Sequence, residues 1–476
     1  MTDHETEIRR LIALQTEAQR AEGPPSADER IARMQTMIAQ FAKHADNICA
    51  AVNEDFGARS DVLSMMTEIM APLHAYQDSA AHVREWMQPE KRTPHAPSEQ
   101  EPEAWIDYQP VGVVGIMSPW NTPINLAVSP LFGVFAAGNR AVIKPSELTP
   151  RSSALLKAMV EDAFDESVLA VVTGDAEVGK TFCRMPFDHL VFTGGTEIGR
   201  HIMRGAAENL TPVTLELGGK SPVIISKSAD FDTAVEKIMF GKSMNSGQVC
   251  VAPDYVLTPA GTTERFVDRA REIVSGYYPT IRDNPDYTAI VNDRHYARLK
   301  GYLDDAREKG ARIVEVNPAD EDFSQQPHRK IPPTFVLDVA DDMAIAREEI
   351  FGPLLIVQEY GEIGEAIAHV NARPRPLALY YFGADEADRD QVLSRTVSGG
   401  VTVNDVMRHF HQHDLPFGGA GPSGIGRYHG IDGFREFSNA RAVFAVNEAP
   451  IVRGPMQPPF PDAAREALRK QIKSAG

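Results

Sequence analysis

Cysteine is scarce in this sequence, and its spacing argues against a disulfide framework. The 476 residues include three cysteines, Cys49, Cys183 and Cys250, with no C-x-x-C pair. The first residues lack the basic start and apolar run of a secretory signal. The longest apolar stretch, residues 126–143, is interrupted by proline, glycine, asparagine and arginine, so it falls short of a membrane span. We therefore expect a reducing, cytoplasmic location.

Basic side chains are also in short supply. Lysine and arginine number 48 against 66 aspartates and glutamates, which leaves a net charge of −18. A surface of this sign repels nucleic acid and anionic lipid, so neither is expected as a partner. Hydrophobic residues make up 43% of the chain, enough for two or three packed domains.

The glycine-rich loop of common dinucleotide-binding folds is missing as well. The apolar run at residues 111–117 is followed by SPWN and not by G-x-G-x-x-G. From Val111 onward, however, short apolar runs alternate with stretches long enough for helices. That alternation predicts an α/β fold with a parallel sheet covered by helices on both faces. A second α/β segment follows from about residue 221 to residue 417.

One phosphate-binding pattern does occur. Residues 174–181, GDAEVGKT, satisfy G-x-x-x-x-G-K-[ST] and follow an apolar run. A P-loop NTPase is therefore one hypothesis. Against it, Asp175 and Glu177 would bring two carboxylates to a loop meant for phosphates, and no later strand ends in an evident Mg²⁺-binding acid.

A series of short motifs is distributed along the chain. The motifs are PWN (119–121), KPSE (144–147), FTGGTEIG (192–199), LELGGKSP (215–222), NSGQVCVAPDY (245–255), EEIFGP (348–353) and PFGGAGPSGIG (416–426). Together, in their order and spacing, they resemble the aldehyde dehydrogenase superfamily from about residue 25 to residue 447. The surroundings of Cys250 and the segment PSGIGRYHG resemble the branch that contains the coniferyl-aldehyde and class 3 enzymes.

The resemblance implies a Rossmann-like cofactor domain, an α/β catalytic domain and a small β oligomerisation element. It also implies a homodimer and places Lys180, the lysine of the phosphate-binding pattern, on a surface helix. The expected boundaries are 1–90 and 108–217 for the NAD-binding domain, 218–430 for the catalytic domain, 91–107 and 431–450 for bridging strands, and 451–476 for a C-terminal tail.

The resemblance also implies a chemistry, the NAD(P)-dependent oxidation of an aldehyde to a carboxylic acid. Cys250 matches the nucleophile, which adds to the carbonyl and later carries the product as a thioester. Asn121 and the backbone N–H of Cys250 match the donors that stabilise the oxyanion, and Glu216 matches the base that activates water. By residue type alone, Cys250 is also compatible with a small buried hydrophobe. An inert structural protein of the same fold is a further alternative, which the presence of all these groups disfavours.

Cofactor residues follow from the same motifs. Glu147 and Lys144 match positions that hold the adenosine ribose, and a carboxylate there opposes the 2′-phosphate of NADP, so NAD is the first choice and NADP the alternative. Gly195 stands where relatives usually have serine, which removes one phosphate donor. The expected cofactor-binding residues are Trp120, Lys144, Ser146, Glu147, Gly174, Thr193, Gly194, Gly195, Glu349 and Phe351.

The substrate pocket is expected around the helix after Asn121 and the loop before PFGG. The residues 408–414, RHFHQHD, are rich in rings, and alternation on a strand-like loop favours stacking on a planar substrate over a metal site. An aromatic or unsaturated aldehyde such as coniferyl aldehyde is therefore predicted, with a medium- or long-chain aliphatic aldehyde as the alternative. The pocket residues are Thr122, Asn125, Phe410, His411 and Phe417.

Lys180 separates the two nucleotide hypotheses. Lys180→Ala should leave NAD-dependent turnover within a few-fold, because the resemblance places it outside the chemistry, whereas a P-loop lysine is essential. The measurement is steady-state NADH formation by the folded variant beside the wild type. Complete loss of turnover would contradict this interpretation of residues 174–181.

Overall fold

The computed structural model describes residues 2–94, 102–446 and 458–475. It divides into two compact units. One consists of Met1–Met87 and Gln109–Asn439, and the other of Gln88–Tyr108 and Ala440–Gly476. Residues 95–101 and 447–457, which belong to the predicted bridging segments and tail, lie outside the described residues. The assignment of roles to the predicted domains stays a prediction.

Helices occupy much of the described chain. Their bounds are α1 Asp3–Glu22, α2 Ala27–Lys43, α3 Ala45–Phe56, α4 Asp61–Ser64, α5 Ala71–Trp86, α6 Asn125–Ala136, α7 Pro150–Ala163, α8 Ala176–Phe182, α9 Thr196–Ala207, α10 Phe231–Ser243, α11 Thr263–Tyr277, α12 Asp293–Glu308, α13 Ala344–Arg347, α14 Ile363–Asn371, α15 Glu386–Arg395, α16 Gly430–Glu436 and α17 Asp462–Ser474. A π-helix, Met65–Met70, joins α4 to α5, and two 3₁₀ turns span Met244–Gly247 and His409–His411.

The strands form three sheets. Their bounds are β1 Glu90–Arg92, β2 Glu103–Pro110, β3 Val113–Met117, β4 Arg140–Lys144, β5 Leu169–Val171, β6 His189–Gly194, β7 Val213–Leu217, β8 Pro222–Ile225, β9 Tyr255–Pro259, β10 Arg312–Glu315, β11 Thr334–Leu337, β12 Leu354–Tyr360, β13 Ala378–Phe382, β14 Gly400–Val403, β15 Gly424–Ile425 and β16 Ser438–Ala445.

The six-stranded sheet has the order β15-β7-β6-β3-β4-β5, and its four strand pairs from β7 to β5 are parallel. Every residue of β3 and β4 is buried, as expected for parallel strands with helices on both faces. The chain runs outward from β3 to β4 and β5 and then returns to β6 on the other side of β3. This reversal creates a crevice at the carboxyl ends of β3 and β6, where doubly wound sheets bind ligands.

The second large sheet has the order β10-β11-β12-β9-β8-β13-β14 and is parallel except for β10. Its core contains buried aliphatic side chains from β9, β11, β12 and β13 and from the helices that cover them. A third, small sheet pairs β1, β2 and β16 within the second compact unit. Strand β16 lies within residues 431–450, the range for which a bridging strand is predicted.

Candidate active site

The turn before Cys250 is the most constrained backbone segment of the site. After α10, the residues Asn245, Ser246 and Gly247 have φ values of 51°, 52° and 72°, in the left-handed region that side chains disfavour. Gly247 is required there because a Cβ atom would lie 2.3 Å from the carbonyl oxygen of Gly352. The turn therefore runs directly against the loop that carries Glu349 and Phe351.

Buried hydrogen bonds hold this turn in place. The Ser246 hydroxyl donates to the carbonyl of Thr288 at 2.7 Å. The Gln248 amide donates to the carbonyls of Asn245 and Ala289, each at 3.0 Å. These bonds offset the strain of the left-handed residues, and they place the half-buried Cys250 two residues beyond Gln248.

Asn121 reaches the same turn from the end of β3. Its side chain is buried, and its Nδ2 donates to the Gln248 carbonyl at 3.2 Å. Because an amide nitrogen carries two protons, one remains for a further acceptor. The structure thus brings the predicted oxyanion donor to the turn of the predicted nucleophile.

Glu216 lies on β7, where it is 2% exposed. Neither of its carboxylate oxygens has a hydrogen-bond partner. Burial therefore raises the pKa of Glu216 well above its ordinary value, against the opposing charge of Arg427. A carboxyl group in this condition is available to take or hold a proton.

The loop that carries Glu349 is fastened by three residues to which sequence reasoning assigned no role. Lys220 donates to the carbonyls of Ile345 and Glu348 and forms an ion pair with Asp254. Asp254 in turn accepts from the amide of Ile350 at 2.8 Å. Lys220 and Asp254 stand inside the quoted motifs LELGGKSP and NSGQVCVAPDY, which is the signal that could have found them.

Arg298 is the third of these residues. It lies on α12, outside all the motifs, and donates to the carbonyls of Glu349 at 3.1 Å and Ile350 at 2.8 Å. Its guanidinium also reaches the carbonyl of Phe351, a residue with φ of 46°. No sequence pattern identified Arg298, because its role depends on a contact across about fifty positions of the chain.

The thiol and the carboxyl groups influence each other's ionisation. Burial, together with the negative charges of Glu349 and Glu216, raises the pKa of Cys250 to about 12. Burial also raises the pKa of Glu349 to about 8, against a hydrogen bond from the Gly219 amide. Burial therefore disfavours the charged form of all three groups.

The predicted cofactor residues surround the crevice of the six-stranded sheet. Lys144 is buried at the end of β4, and its Nζ lies 2.9 Å from a carboxylate oxygen of the partly exposed Glu147. The Ser146 hydroxyl accepts from the Leu148 amide and so stabilises the turn itself. Thr193 is buried and Gly194 ends β6.

Gly195 is the N-cap of α9, and no atom lies within 4 Å of where its Cβ atom would be. The positive end of this helix therefore faces open space, which suits a phosphate group. Trp120 lies beside Phe351, with ring centroids 5.3 Å apart. An open helix N-terminus, the carboxylate of Glu147 and a pair of rings are a donor and acceptor set that fits a dinucleotide.

The P-loop hypothesis is wrong for residues 174–181. The amides of Glu177 and Val178, which would bind phosphate, donate to the carboxylate of Asp175, which caps α8. Lys180 is exposed and pairs with Glu177. Gly174 has φ of 155° and lies against Val178, where a Cβ atom would be 2.4 Å from a methyl group.

The predicted pocket residues form part of a ring cluster. Phe410 contacts His411 and Phe417, with centroid distances of 4.0 Å and 5.9 Å, and Phe417 stacks on His429 at 5.1 Å. Thr122 and Asn125 are buried near the start of α6, where the side-chain amide oxygen of Asn125 accepts from the Ser129 hydroxyl.

The expectation of a strand-like loop here is wrong, because His409–His411 form a 3₁₀ turn in which the His409 ring bonds to Thr402. Within the described residues, no group of three histidine, cysteine or acidic side chains is arranged to hold a metal.

Comparison with known proteins decides the family. A model of the aldehyde dehydrogenase family matches residues 2–443. The chain belongs to the aldehyde dehydrogenase family. A probable coniferyl aldehyde dehydrogenase of Caulobacter vibrioides is 54% identical, covering 99% of this chain and 98% of its own. A coniferyl aldehyde dehydrogenase of a Pseudomonas species is 49% identical, covering 94% and 92%.

Solved structures agree on the fold. Substrate-bound AldH of Staphylococcus aureus is 33% identical, has a TM-score of 0.89 and covers 98% of this chain and 99% of its own. An aldehyde dehydrogenase of Mycobacterium tuberculosis in complex with NAD⁺ is 28% identical, with a TM-score of 0.81 and coverage of 92% and 90%. The predicted family, α/β fold, oxidoreductase activity on an aldehyde and nicotinamide cofactor are confirmed.

The remaining statements about this aldehyde dehydrogenase stay predictions. The roles of individual site residues stay predictions, since the comparisons identify the family and not the function of each side chain. Among the residues that the structure describes, no helix combines the length and apolar character needed to cross a bilayer.

The charge of Glu349 should control the reactivity of Cys250. Because the pKa of Glu349 is raised to about 8, its carboxyl group is largely ionised at pH 9 and largely neutral at pH 6.5. Glu349→Gln removes a negative charge that raises the thiol pKa, so it should speed alkylation of Cys250 by iodoacetamide at pH 9 and leave it unchanged at pH 6.5. Mass spectrometry of the peptide that contains Cys250, in cofactor-free enzyme, gives the rate.

Glu348→Gln is the matched control, because it changes an exposed neighbouring carboxylate. Equal acceleration at both pH values, or none at pH 9, would contradict the electrostatic coupling.

Proposed function

We propose that this aldehyde dehydrogenase oxidises aromatic and α,β-unsaturated aldehydes of the coniferyl aldehyde type to the corresponding acids. The observation that carries the chemistry is the buried carboxyl group of Glu216, without hydrogen-bond partners, whose charge raises the pKa of the Cys250 thiol. A buried base and a buried nucleophile whose ionisation is linked are the components that acyl transfer through sulfur needs.

The first half of the reaction uses Cys250 and Asn121. The Cys250 sulfur bonds to the carbonyl carbon, and the thiol proton leaves to solvent. The carbonyl oxygen becomes an oxyanion, which accepts from the free Nδ2 proton of Asn121 and from the Cys250 amide. NAD(P), when bound, accepts the hydride that this carbon releases. Cys250 then carries the acyl group as a thioester.

The second half uses Glu216. Its carboxylate takes a proton from water, the resulting oxygen nucleophile attacks the thioester carbon, and the carbon–sulfur bond breaks. The acid leaves, and the Cys250 sulfur takes the proton that Glu216 had removed from water, which restores the carboxylate of Glu216. Burial supports this role because it raises the basicity of the Glu216 carboxylate.

Several features support an aromatic substrate. The rings of Phe410, Phe417 and His429 form a continuous cluster that ends at Tyr428. Burial and the negative charges of Glu216 and Cys250 raise the pKa of Tyr428, so this end of the cluster lies within electrostatic range of both groups. The relatives of 49% and 54% identity named above support coniferyl aldehyde in particular.

We further propose NAD as the preferred cofactor, a homodimer and a cytoplasmic location. The Glu147 carboxylate would repel the 2′-phosphate of NADP, although its ion pair with Lys144 weakens that effect. For the dimer, β16 is an edge strand of its sheet, and Phe444 on it is 62% exposed. Such an edge is suited to pair with a second copy.

A substrate panel tests the specificity. We expect the highest kcat/KM for coniferyl aldehyde and cinnamaldehyde, lower values for aliphatic aldehydes of six to twelve carbons as chemically matched probes, and a preference for NAD when NAD and NADP are compared. NADH or NADPH absorbance gives the rates. Higher kcat/KM values for the aliphatic series would overturn the aromatic assignment and favour the fatty aldehyde alternative.

Three substitutions separate the two halves of the reaction. Cys250→Ala should form no NADH, and Asn121→Ala should lower kcat by roughly 10²–10³ because one oxyanion donor is lost. Glu216→Gln keeps the shape but loses the base, so it should give a burst of about one NADH per active site and then a slow steady rate. Its acyl group should add mass to the peptide that contains Cys250. Normal turnover by Glu216→Gln, with NAD binding intact, would show that another group activates water.

A further inference from the structure

The segment from Asn121 to Ile124 is held partly by side chains from distant elements. It lies between β3 and α6 and has no regular secondary structure. Helix α6 begins after Ile124, whose side chain cannot cap it, and no side chain of its own sequence accepts from its first amides. Free amides at a helix start need a partner when they are buried.

A buried ion pair from the N-terminal helices supplies these partners. The Glu68 carboxylate accepts from the amides of Ile124 at 3.2 Å and Asn125 at 3.0 Å, and so caps α6 from a distant element. The Arg59 guanidinium donates to the backbone carbonyl of Asn121 itself at 2.8 Å. Arg59 and Glu68 bond to each other at 3.0 Å, and both side chains are fully buried. The pair thus holds both ends of the segment that presents the Asn121 side chain.

The local backbone is shaped for this contact. Glu68 lies in the π-helix Met65–Met70, where it is fully buried while Met65, Met66 and Met70 are exposed. A π-helical turn accommodates an extra residue, changes the direction of the side chains that follow, and is found mostly at functional sites. Nothing in the chemistry already described uses either charge, although a buried pair of this kind contributes little net stability compared with apolar side chains.

We propose that Arg59 and Glu68 are positioning residues, which hold the Asn121 amide at the place where the oxyanion forms. The proposal rests on the oxyanion role given to Asn121 under the proposed function. A donor stabilises the developing charge only when it lies at hydrogen-bond distance from it. A displacement of about 1 Å lowers the rate by roughly 10²-fold. The ion pair prevents such a displacement, because it fixes the carbonyl of Asn121 and the start of α6 relative to one another.

The test is a double-mutant cycle between the ion pair and Asn121. Replacing one partner alone would leave a buried charge unpaired and endanger folding, so the main variant is Arg59→Met with Glu68→Met, which removes both charges. We expect its kcat for the best aldehyde to fall by roughly 10- to 100-fold, with the aldehyde KM within about 3-fold, because the oxyanion contact is realised in the transition state. In an Asn121→Ala background, the same double change should alter kcat by less than about 3-fold.

Arg30→Met is the matched control. Arg30 is also buried and also donates to backbone carbonyls, those of Pro25 and Ala136, but it has no contact with the Asn121 segment. Its effect on kcat, per active site counted by alkylation of Cys250, should be small and equal in both backgrounds. Arg59→Met with Glu68→Gln is a second check: it also removes both charges, but its amide oxygen still accepts from α6, so its kcat should exceed that of the variant with two methionines.

The outcomes distinguish the positioning role of Arg59 and Glu68 from the oxyanion role of Asn121. An equal fall in kcat in both backgrounds, or a wild-type kcat for the double variant, would overturn the positioning role alone. If Asn121→Ala itself leaves kcat unchanged, the oxyanion assignment under the proposed function is wrong, and the positioning role is overturned with it. The positioning role is supported if the double change lowers kcat only when Asn121 is present and Arg30→Met has the same effect in both backgrounds.

Discussion

Burial of carboxyl groups beside a single thiol is the constraint around which the site is built. Glu216 has no hydrogen-bond partner, Glu349 has an elevated pKa, and Cys250 is held in its neutral form by burial and by both carboxylates. At a buried site, an ionised group is costly unless another charge or dipole compensates for it. Burial therefore disfavours the charged form of each reactive group, and proton movement among them becomes part of the chemistry.

A site of this kind depends on irregular backbone, and irregular backbone needs partners for its polar groups. Three such segments meet here: the left-handed turn before Cys250, the segment after β3 with Asn121, and the loop with Glu349. Each is held by hydrogen bonds between side chains and backbone groups from different parts of the chain. Gln248 and Ser246 hold the turn, Arg59 and Glu68 hold the Asn121 segment, and Lys220, Asp254 and Arg298 hold the Glu349 loop. The residues that hold these three segments thus position Cys250, Asn121 and Glu349.

Sequence reasoning was most successful where the signal is local. The alternation of apolar runs predicted a parallel α/β fold, and the motif order identified the family, because both depend on residues that are close in the chain. It was wrong about the strand-like character of residues 408–414, since a bond between the His409 ring and Thr402 accompanies a 3₁₀ turn there. It also missed Arg298, Arg59 and Glu68, which carry no motif.

The sequence by itself determined the fold class, the family and the candidate nucleophile, because periodicity and motif spacing are properties of the chain alone. The tertiary structure decided which groups share one pocket. It showed that the amides of the GDAEVGKT loop are occupied by Asp175, and that a carboxylate from a π-helix caps the helix after Asn121. The physical reason is that hydrogen bonding and burial act through space. A side chain's partner and its exposure to water exist only once distant segments have packed together.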